Sequence, residues 1–410
     1  MRQNALIAGV GMTHFGKHLE IGFKAIGAEA VQRAVEDAGI RLQDIEVAYV
    51  GNAAAGLVTG QECIRGQVIL RSLGVGKIPV VNVENACASG STAFHQAAAM
   101  VTAGANDIVL ALGVEKLYSE DRKKSFSAFS GAVDVEFMQA IMESLQKSAA
   151  ASGGSAGAAG AGEKRSMFMD IYAAVARAHM QRYGTTVEQF AMVSAKNSFH
   201  GSLNPRAQFR EALTVEQVLA APMIAEPLTR PMCSPIGDGA AAAILVSPAK
   251  ARQLGINKPV RVVSTVLVSG WDHAPDEDGA GEVSSRQAYE EAGVGPSDIH
   301  VVELHDASAP GEILAYEYLG LCPKGGGGRL VQDGVTKLGG RQPVNTSGGL
   351  LRKGHPVGAT GVAQIVELTE QLQERSGSRQ VQGAKLGLAQ NGGGNIGIDV
   401  AAMCVSILQA

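Results

Sequence analysis

The chain has 410 residues, enough for two or three domain-sized units or for two halves sharing one core. Hydrophobic residues make up 46%, charged residues 18% and the net charge is −4, with no basic run or basic helix face, which argues against nucleic-acid binding. No window holds the roughly 18 uninterrupted apolar residues of a membrane span, and neither a signal-peptide pattern nor a peroxisomal address is present, so a soluble cytoplasmic protein is expected.

The first predicted element is an apolar strand that runs into GVGMTHFG (9–16). The third glycine of a dinucleotide-binding fingerprint is missing there, and no acidic residue takes the ribose-binding part, so no dinucleotide site is expected. AVEDAGIRLQDIEVAYVGN (34–52) reads as the end of an amphipathic helix, an Ala-Gly stop, a turn and a strand. IPVVNV (78–83) reads as a short buried strand leading into NVENACASGSTA (82–93), which opens a long helix. DIVLALG (107–113) is the next strand.

Residues 148–162 are entirely Ala, Gly and Ser and read as a flexible surface loop. MFMDIYAAVARAHMQRYG (167–184) has helical spacing and a glycine stop. AYEEAGVGPSDIHVVELHD (288–306) then repeats the 34–52 pattern, and CPKGGGGRL (322–330) reads first as a turn and second as a ligand loop. HPVGATG (355–361) corresponds to CASGSTA (87–93), and AKLGLAQ (384–390) corresponds to DIVLALG. Each half therefore alternates strand and helix, which predicts mostly parallel sheets with helices on their faces. Two related halves packed about a pseudo-twofold axis would bring Cys87 and His355, at equivalent helix starts, close together.

The five cysteines are odd in number and lack C-x-x-C spacing, so neither a disulfide framework nor a metal site is expected. Cys87 stands out because a thiol at a strand-to-helix turn faces the positive end of the helix dipole. That position predicts a pKa below the free-thiol value of about 8.5. The alternative is a packed cysteine at a helix start. His355 is a candidate base for that thiol, against a hydrogen-bonded structural histidine. His305 and Asp306 end a predicted strand, where ligands bind in α/β folds, or else cap a turn. The glycine turn in AQNGGGNIG (389–397) could supply oxyanion-binding amides or be a plain turn.

Together these segments resemble the thiolase superfamily, and most closely its sterol-carrier-protein type, over nearly the whole chain. NACASGSTA resembles the nucleophile motif, SPIGDGAAAAILVS (234–247) the strand closing the first half, and NTSGGLLRKGHPVGATG (345–361) the Gly-His-Pro motif. HDAS (305–308) stands where such thiolases carry His-Asp-Cys. The resemblance implies two βαβαβαββ halves in a five-layered α-β-α-β-α arrangement. It places an N-terminal half at 1–250, with a loop domain inserted at about 116–200, and a C-terminal half at 258–410. It implies coenzyme A thioesters as substrates and no permanently bound cofactor. It makes Cys87 the acylated nucleophile, His355 its activator and His305 an oxyanion or water ligand, with Ser347, Asn391, Gly392 and Gly393 bordering the substrate. It also implies a homodimer core and, as in bacterial relatives, a small zinc-ribbon/OB-fold partner subunit.

One departure matters. Thiolases use a second cysteine as acid/base, and here the two places for it hold Ala307 and Gln390. The expected reaction is thiolytic cleavage of a β-ketoacyl-CoA or its reverse, with a bulky or ring-bearing acyl group in view. The alternatives are acyl transfer to another acceptor, or a retro-aldol lyase on the same fold.

Overall fold

A computed structural model describes residues 3–137, 166–274 and 276–410. The Ala/Gly/Ser stretch 148–162 lies outside the described residues. Eleven strands are named in chain order: β1 (Leu6–Met12), β2 (Val47–Gly51), β3 (Val80–Val83), β4 (Ile108–Glu115), β5 (Met223–Ala225), β6 (Leu228–Thr229), β7 (Gly239–Val246), β8 (Val260–Ser269), β9 (Val301–Glu303), β10 (Leu386–Gly393) and β11 (Ala402–Gln409). Nine of them form one sheet in the order β3–β2–β4–β7–β1–β8–β11–β10–β9, while β5 and β6 pair separately.

The order is the same read outward from the middle. β1 and β8 meet through two residue pairs. On one side β7 runs antiparallel to both β1 and β4, and on the other β11 runs antiparallel to both β8 and β10. Beyond them β2 is parallel to β4, as β9 is to β10. β3 lies parallel beside β2, and Val344 forms a single parallel bridge to Val302 in the matching place. The repeat seen in the sequence is thus a repeat of topology.

The sheet is mixed, not mostly parallel as expected. The closing strand of each half does not return through a crossover helix, which parallel pairing requires. β10 reaches β11 through the short turn after Gly393, and β4 reaches β7 only after the whole inserted segment. β3 is also not buried, because it forms the outer edge of the sheet and leaves Val81 41% exposed.

Helices cover both faces. The helix Phe23–Ala38 buries Phe23, Ile26, Ala30, Val31 and Ala34, the stripe that its 3.6-residue period puts on one side. It stops at Gly39 in the left-handed conformation, as its counterpart Ala280–Ala292 stops at Gly293. The glycines of the early GVG string serve this packing: a Cβ on Gly9 would stand 2.3 Å from the Ala38 nitrogen and one on Gly11 2.5 Å from that of Ala34. The expected helix in the inserted segment is Met167–Tyr183, closed by Gly184. The glycine run near 325 is a turn that passes into a short helix, Gly327–Gln332.

Between the two halves of the sheet lie the helices Ser89–Thr102 and Thr360–Leu372. Ala93, Phe94, Ala97 and Ala98 from the first and Val362, Ala363, Ile365 and Val366 from the second share one core with β1, β4, β7 and β8. Their starts approach closely because both are built of small residues. A Cβ on Gly90 would stand 2.6 Å from the Gly358 carbonyl oxygen, and one on Gly361 would stand 2.4 Å from the Ser91 nitrogen. With helices outside each half and this pair inside, the layers run α-β-α-β-α. Among the described residues no helix is long and apolar enough to cross a membrane.

Candidate active site

The two central helices start side by side, and the motif that precedes each supplies a reactive group. Cys87 lies in the 3₁₀ turn Ala86–Ala88 that leads into Ser89–Thr102. That turn is knit by Ser89, whose hydroxyl donates to the Ala86 carbonyl at 2.6 Å and accepts from the Asn85 N–H at 3.0 Å. Ala86 holds a positive φ of 46°, a strained conformation that sets the angle at which Cys87 leaves the turn. His355 lies two residues before the equivalent turn, Val357–Ala359, where it bridges Ile236, and His305 lies in the chain just beyond β9. The Cys87 sulfur and one ring nitrogen from each histidine all lie within 4.8 Å of one another. The imidazoles meet edge to face, with centroids 5.2 Å apart.

The neighbours give the two rings opposite roles. Thr360 Oγ1 donates to the Pro356 carbonyl at 3.1 Å, so it accepts from His355 Nδ1–H at 2.7 Å. His355 Nε2 then carries the free lone pair of a base. Asn391 Nδ2 lies 2.8 Å from His305 Nδ1, while Asn391 Oδ1 accepts from Ser91 Oγ at 2.8 Å. An amide nitrogen only donates, so in this orientation His305 accepts at Nδ1 and keeps its proton on Nε2, as a donor.

The electrostatics differ from the sequence expectation. Burial pushes the Cys87 thiol up to about 12, and the Glu115 carboxylate adds to this; the N–H groups of Gly394 and of Cys87 itself pull the other way. Removing the sulfur from water outweighs the helix-end field. Burial lowers His305 to about 4. Burial, then the neighbouring His305 and Lys353, hold His355 well below its ordinary value. The resting site is therefore a neutral thiol between two neutral imidazoles.

Other expected residues fall in different places. Gly393 provides close approach, since a Cβ there would stand 2.1 Å from the Asn85 carbonyl oxygen. The amide aimed at the sulfur belongs to Gly394, one residue beyond the expected Gly392 and Gly393. Ser347 does not border the thiol: its hydroxyl donates to Glu303 at 2.5 Å in a buried network with Lys353. Asp306 accepts from the Leu350 and Leu351 amides and from Asn197, which ties the Gly-rich segment before His355 to the inserted helix Val187–Ser202. Gln390 Oε1 accepts from the His305 N–H at 2.9 Å, so this side chain braces a catalytic candidate where a cysteine was sought.

Sequence reasoning missed Glu115, Tyr172, Thr360 and Gly394. Glu115 accepts from the Gly358 amide at 3.0 Å and from Asn52 at 3.0 Å, which fixes the loop that carries His355. The inserted helix Met167–Tyr183 reaches the site, since a Cβ on Gly311 would stand 3.5 Å from the Tyr172 ring and 3.9 Å from the His305 carbonyl oxygen, and burial raises the Tyr172 phenol. Thr360 could have been found from its place five residues after His355 in a helix-opening string. Nothing in the local sequence marks Tyr172.

Cys87, His305 and His355 are also a donor set for a soft metal ion, and they form the one such cluster among the described residues. Two surface hollows, one beside Tyr289 and Tyr318 and one beside Phe23 and Ser72, are lined by none of the three.

Residues 5–249 match the family model Thiolase, N-terminal domain, and residues 275–408 match Thiolase C-terminal domain-like. The chain belongs to the thiolase family. It is 40% identical over 402 residues to an acetyl-CoA acetyltransferase of Methanothermobacter thermautotrophicus, covering 97% of this chain and 98% of the relative. It is 36% identical over 389 residues to the benzoylsuccinyl-CoA thiolase subunit BbsB of Thauera aromatica, covering 93% and 92%. Among solved structures it is similar to an Ltp2–ChsH2(DUF35) aldolase, with a TM-score of 0.77, 25% identity and coverage of 99% and 98%. This thiolase is an acyl-CoA acyltransferase that takes coenzyme A-linked substrates.

Proposed function

We propose that this thiolase cleaves a β-ketoacyl-CoA, or forms one in reverse, through an acyl thioester on Cys87. The observation that carries the reading is the cluster of Cys87, His305 and His355 within 4.8 Å, with two backbone amides at the sulfur. His355 Nε2 takes the thiol proton as sulfur attacks the β-carbonyl carbon. His305 Nε2–H and the amides of Gly394 and Cys87 stabilise oxyanions along the path. The bond between the α- and β-carbons then breaks, and the electron pair goes to the acetyl-CoA α-carbon.

That carbon needs one proton, and His355 holds the one taken from Cys87. The first half-reaction therefore balances without a second thiol: β-ketoacyl-CoA and Cys87–SH become acyl-Cys87 and acetyl-CoA. An imidazolium in a buried site is a strong acid, which suits this return. In the second half, a CoA thiol gives its proton to His355 and attacks the thioester, releasing acyl-CoA and regenerating Cys87. Ala307 and Gln390 in the two cysteine positions are compatible with this route.

The halves are taken as 1–250 and 258–410, with the insertion at about 116–200 supplying Tyr172, in a homodimer core located in the cytoplasm. A second reading keeps the fold and makes the protein a retro-aldol lyase working with a small zinc-ribbon/OB-fold subunit. The missing second cysteine and the likeness to an aldolase complex favour it; a nucleophile with its own base speaks against it.

Intact-protein mass spectrometry after mixing with acetyl-CoA and bulkier acyl-CoAs, beside Cys87→Ser, decides between them. The expected result is a Cys87-dependent acyl adduct. No adduct with any thioester, and full activity in the Ser variant, would leave only the lyase.

A further inference from the structure

The chain that carries the Gly394 amide does not stop at the sulfur. It continues as a tight turn in which the Ile396 N–H donates to the Asp399 carbonyl at 2.8 Å and the Asp399 N–H donates back to the Ile396 carbonyl at 3.0 Å. Gly397 takes a positive φ of 57° at the tip. Asp399 anchors the turn, accepting from the Ala280 N–H at 3.0 Å with His273 3.5 Å away. The Asn395 N–H donates to the Ala132 carbonyl at 2.9 Å, and Val133 bridges Asn395. The hydrogen bonds that hold this turn are made by backbone and by the Asn395 and Asp399 side chains, so the isoleucine side chains are not needed for them.

They are instead presented to solvent. Ile396 is 40% exposed and Ile398 59%, with Val135 at 56% on the adjoining segment. Trp271, 38% exposed, follows Gly270, where a Cβ would touch the Ile396 methyl at 3.2 Å. A chain spans at most about 3.5 Å per residue, so Ile396 starts no more than about 7 Å from the amide at the sulfur. These exposed apolar side chains, on a locked turn that begins two residues from the amide at the sulfur, form an apolar lip.

We propose that Ile396 and Ile398, with Val135 and Trp271, receive the distal part of a bulky apolar acyl group and set the acyl preference of the enzyme. The proposal rests on the thioester reading above, which puts the acyl carbonyl at Cys87. Four partly exposed side chains offer a few hundred Å², against roughly 800 Å² per partner in a stable protein interface. That area suits a ring or a medium chain better than a subunit. The continuity with Gly394 fixes its distance from the thioester, as acyl selection requires.

Trp271 is the one tryptophan of the chain, so its fluorescence reports on the lip. The test titrates wild type and an Ile396→Ser/Ile398→Ser variant with acetyl-CoA, decanoyl-CoA, a phenylacyl-CoA and free CoA, and follows emission. Wild type should show a blue shift with the two bulky thioesters that acetyl-CoA and CoA do not give. In the variant, affinity measured by calorimetry should fall about 10- to 100-fold for the bulky thioesters, while that for acetyl-CoA holds within about twofold. Equal loss for all ligands, or no loss for any, would overturn the proposal, and the latter would hand the lip to a partner subunit. The reading and the lip fail separately: a missing Cys87 adduct in mass spectrometry rejects the chemistry, whereas the ratio of affinities needs no turnover. An Ile398→Trp variant, which fills the lip, should weaken the bulky ligands again while leaving acetyl-CoA alone.

Discussion

Asn391 decides which face of His305 carries a proton, because its side-chain N–H donates to Nδ1 over 2.8 Å. An Asp at 391 has nearly the same shape but only accepts. It would draw the proton to Nδ1 and leave Nε2 bare where an oxyanion forms. Asn391→Asp should lower the acylation rate roughly 10²- to 10³-fold, the usual cost of one oxyanion donor, with substrate affinity little changed. Rapid-quench measurement of acyl-Cys87 formation checks this, and a wild-type rate would show that His305 does not act as a donor.

The thiol and the imidazoles titrate in opposite directions, which fixes the pH behaviour. The Cys87 thiol is pushed up to about 12, so the free enzyme holds little thiolate at neutral pH. Its alkylation by iodoacetamide should keep rising through pH 9 and not level off near pH 7. A plateau at neutral pH would reveal a thiolate–imidazolium pair instead. His355 and His305 are lowered below the ordinary 6.5 or so. Both therefore stay neutral in the folded protein as pH falls through 6.5, while the unfolded chain takes up protons. The acid limb of acylation should lie below pH 6.5, and stability should decline as pH drops beneath that value.

Thr360 acts through His355 and touches no substrate. Thr360→Val removes the acceptor of His355 Nδ1–H and frees the ring to turn or change tautomer. We expect kcat to fall about 10- to 100-fold with KM nearly constant, and Thr360→Ser to restore most of it. A parallel loss in the Ser variant would mean that the methyl group, not the hydrogen bond, matters.

The cluster of one sulfur and two imidazole nitrogens should also bind zinc, at the expense of the nucleophile. Micromolar Zn²⁺ should inhibit, a chelator should restore activity, and Cys87→Ser should bind the ion more weakly by calorimetry. Loss of activity on chelation of the enzyme as isolated would instead make the metal part of the machinery.

Much of this was legible because the information is local and repeated. The Ala-Gly stops at Gly39 and Gly293, and the two small-residue strings ahead of the central helices, announce themselves in the sequence. The repeat put Cys87 and His355 near the starts of the two central helices, but its register was off by three residues, since Gly358 holds the place of Cys87 in the matching turn. What failed to show depends on contacts distant in the chain. The direction of the Cys87 shift follows from burial by residues hundreds of positions away. Ser347 sits in a motif near His355, yet its partner Glu303 comes from β9. Tyr172 arrives on a helix whose spacing says only that it is amphipathic. Strand direction was misread because alternation of strands and helices does not record how the closing strand of each half returns.

The last prediction concerns the pair beneath the histidines. Glu303 stands two residues before His305 and Lys353 two before His355, and their side chains meet at 3.3 Å, each 1% exposed. The pair links the two segments that deliver the imidazoles. Removing one member leaves a buried charge without its partner, which costs about 3–5 kcal/mol in such settings, whereas replacing both is far milder. Lys353→Met should lose stability of that order in denaturant unfolding, and Glu303→Gln/Lys353→Met should recover most of it. Without the ammonium group the Glu303 carboxyl titrates higher, so it is neutralised sooner as pH falls. The deficit of the single variant should accordingly shrink toward acid pH. A deficit that is constant with pH would locate the damage in packing instead of charge.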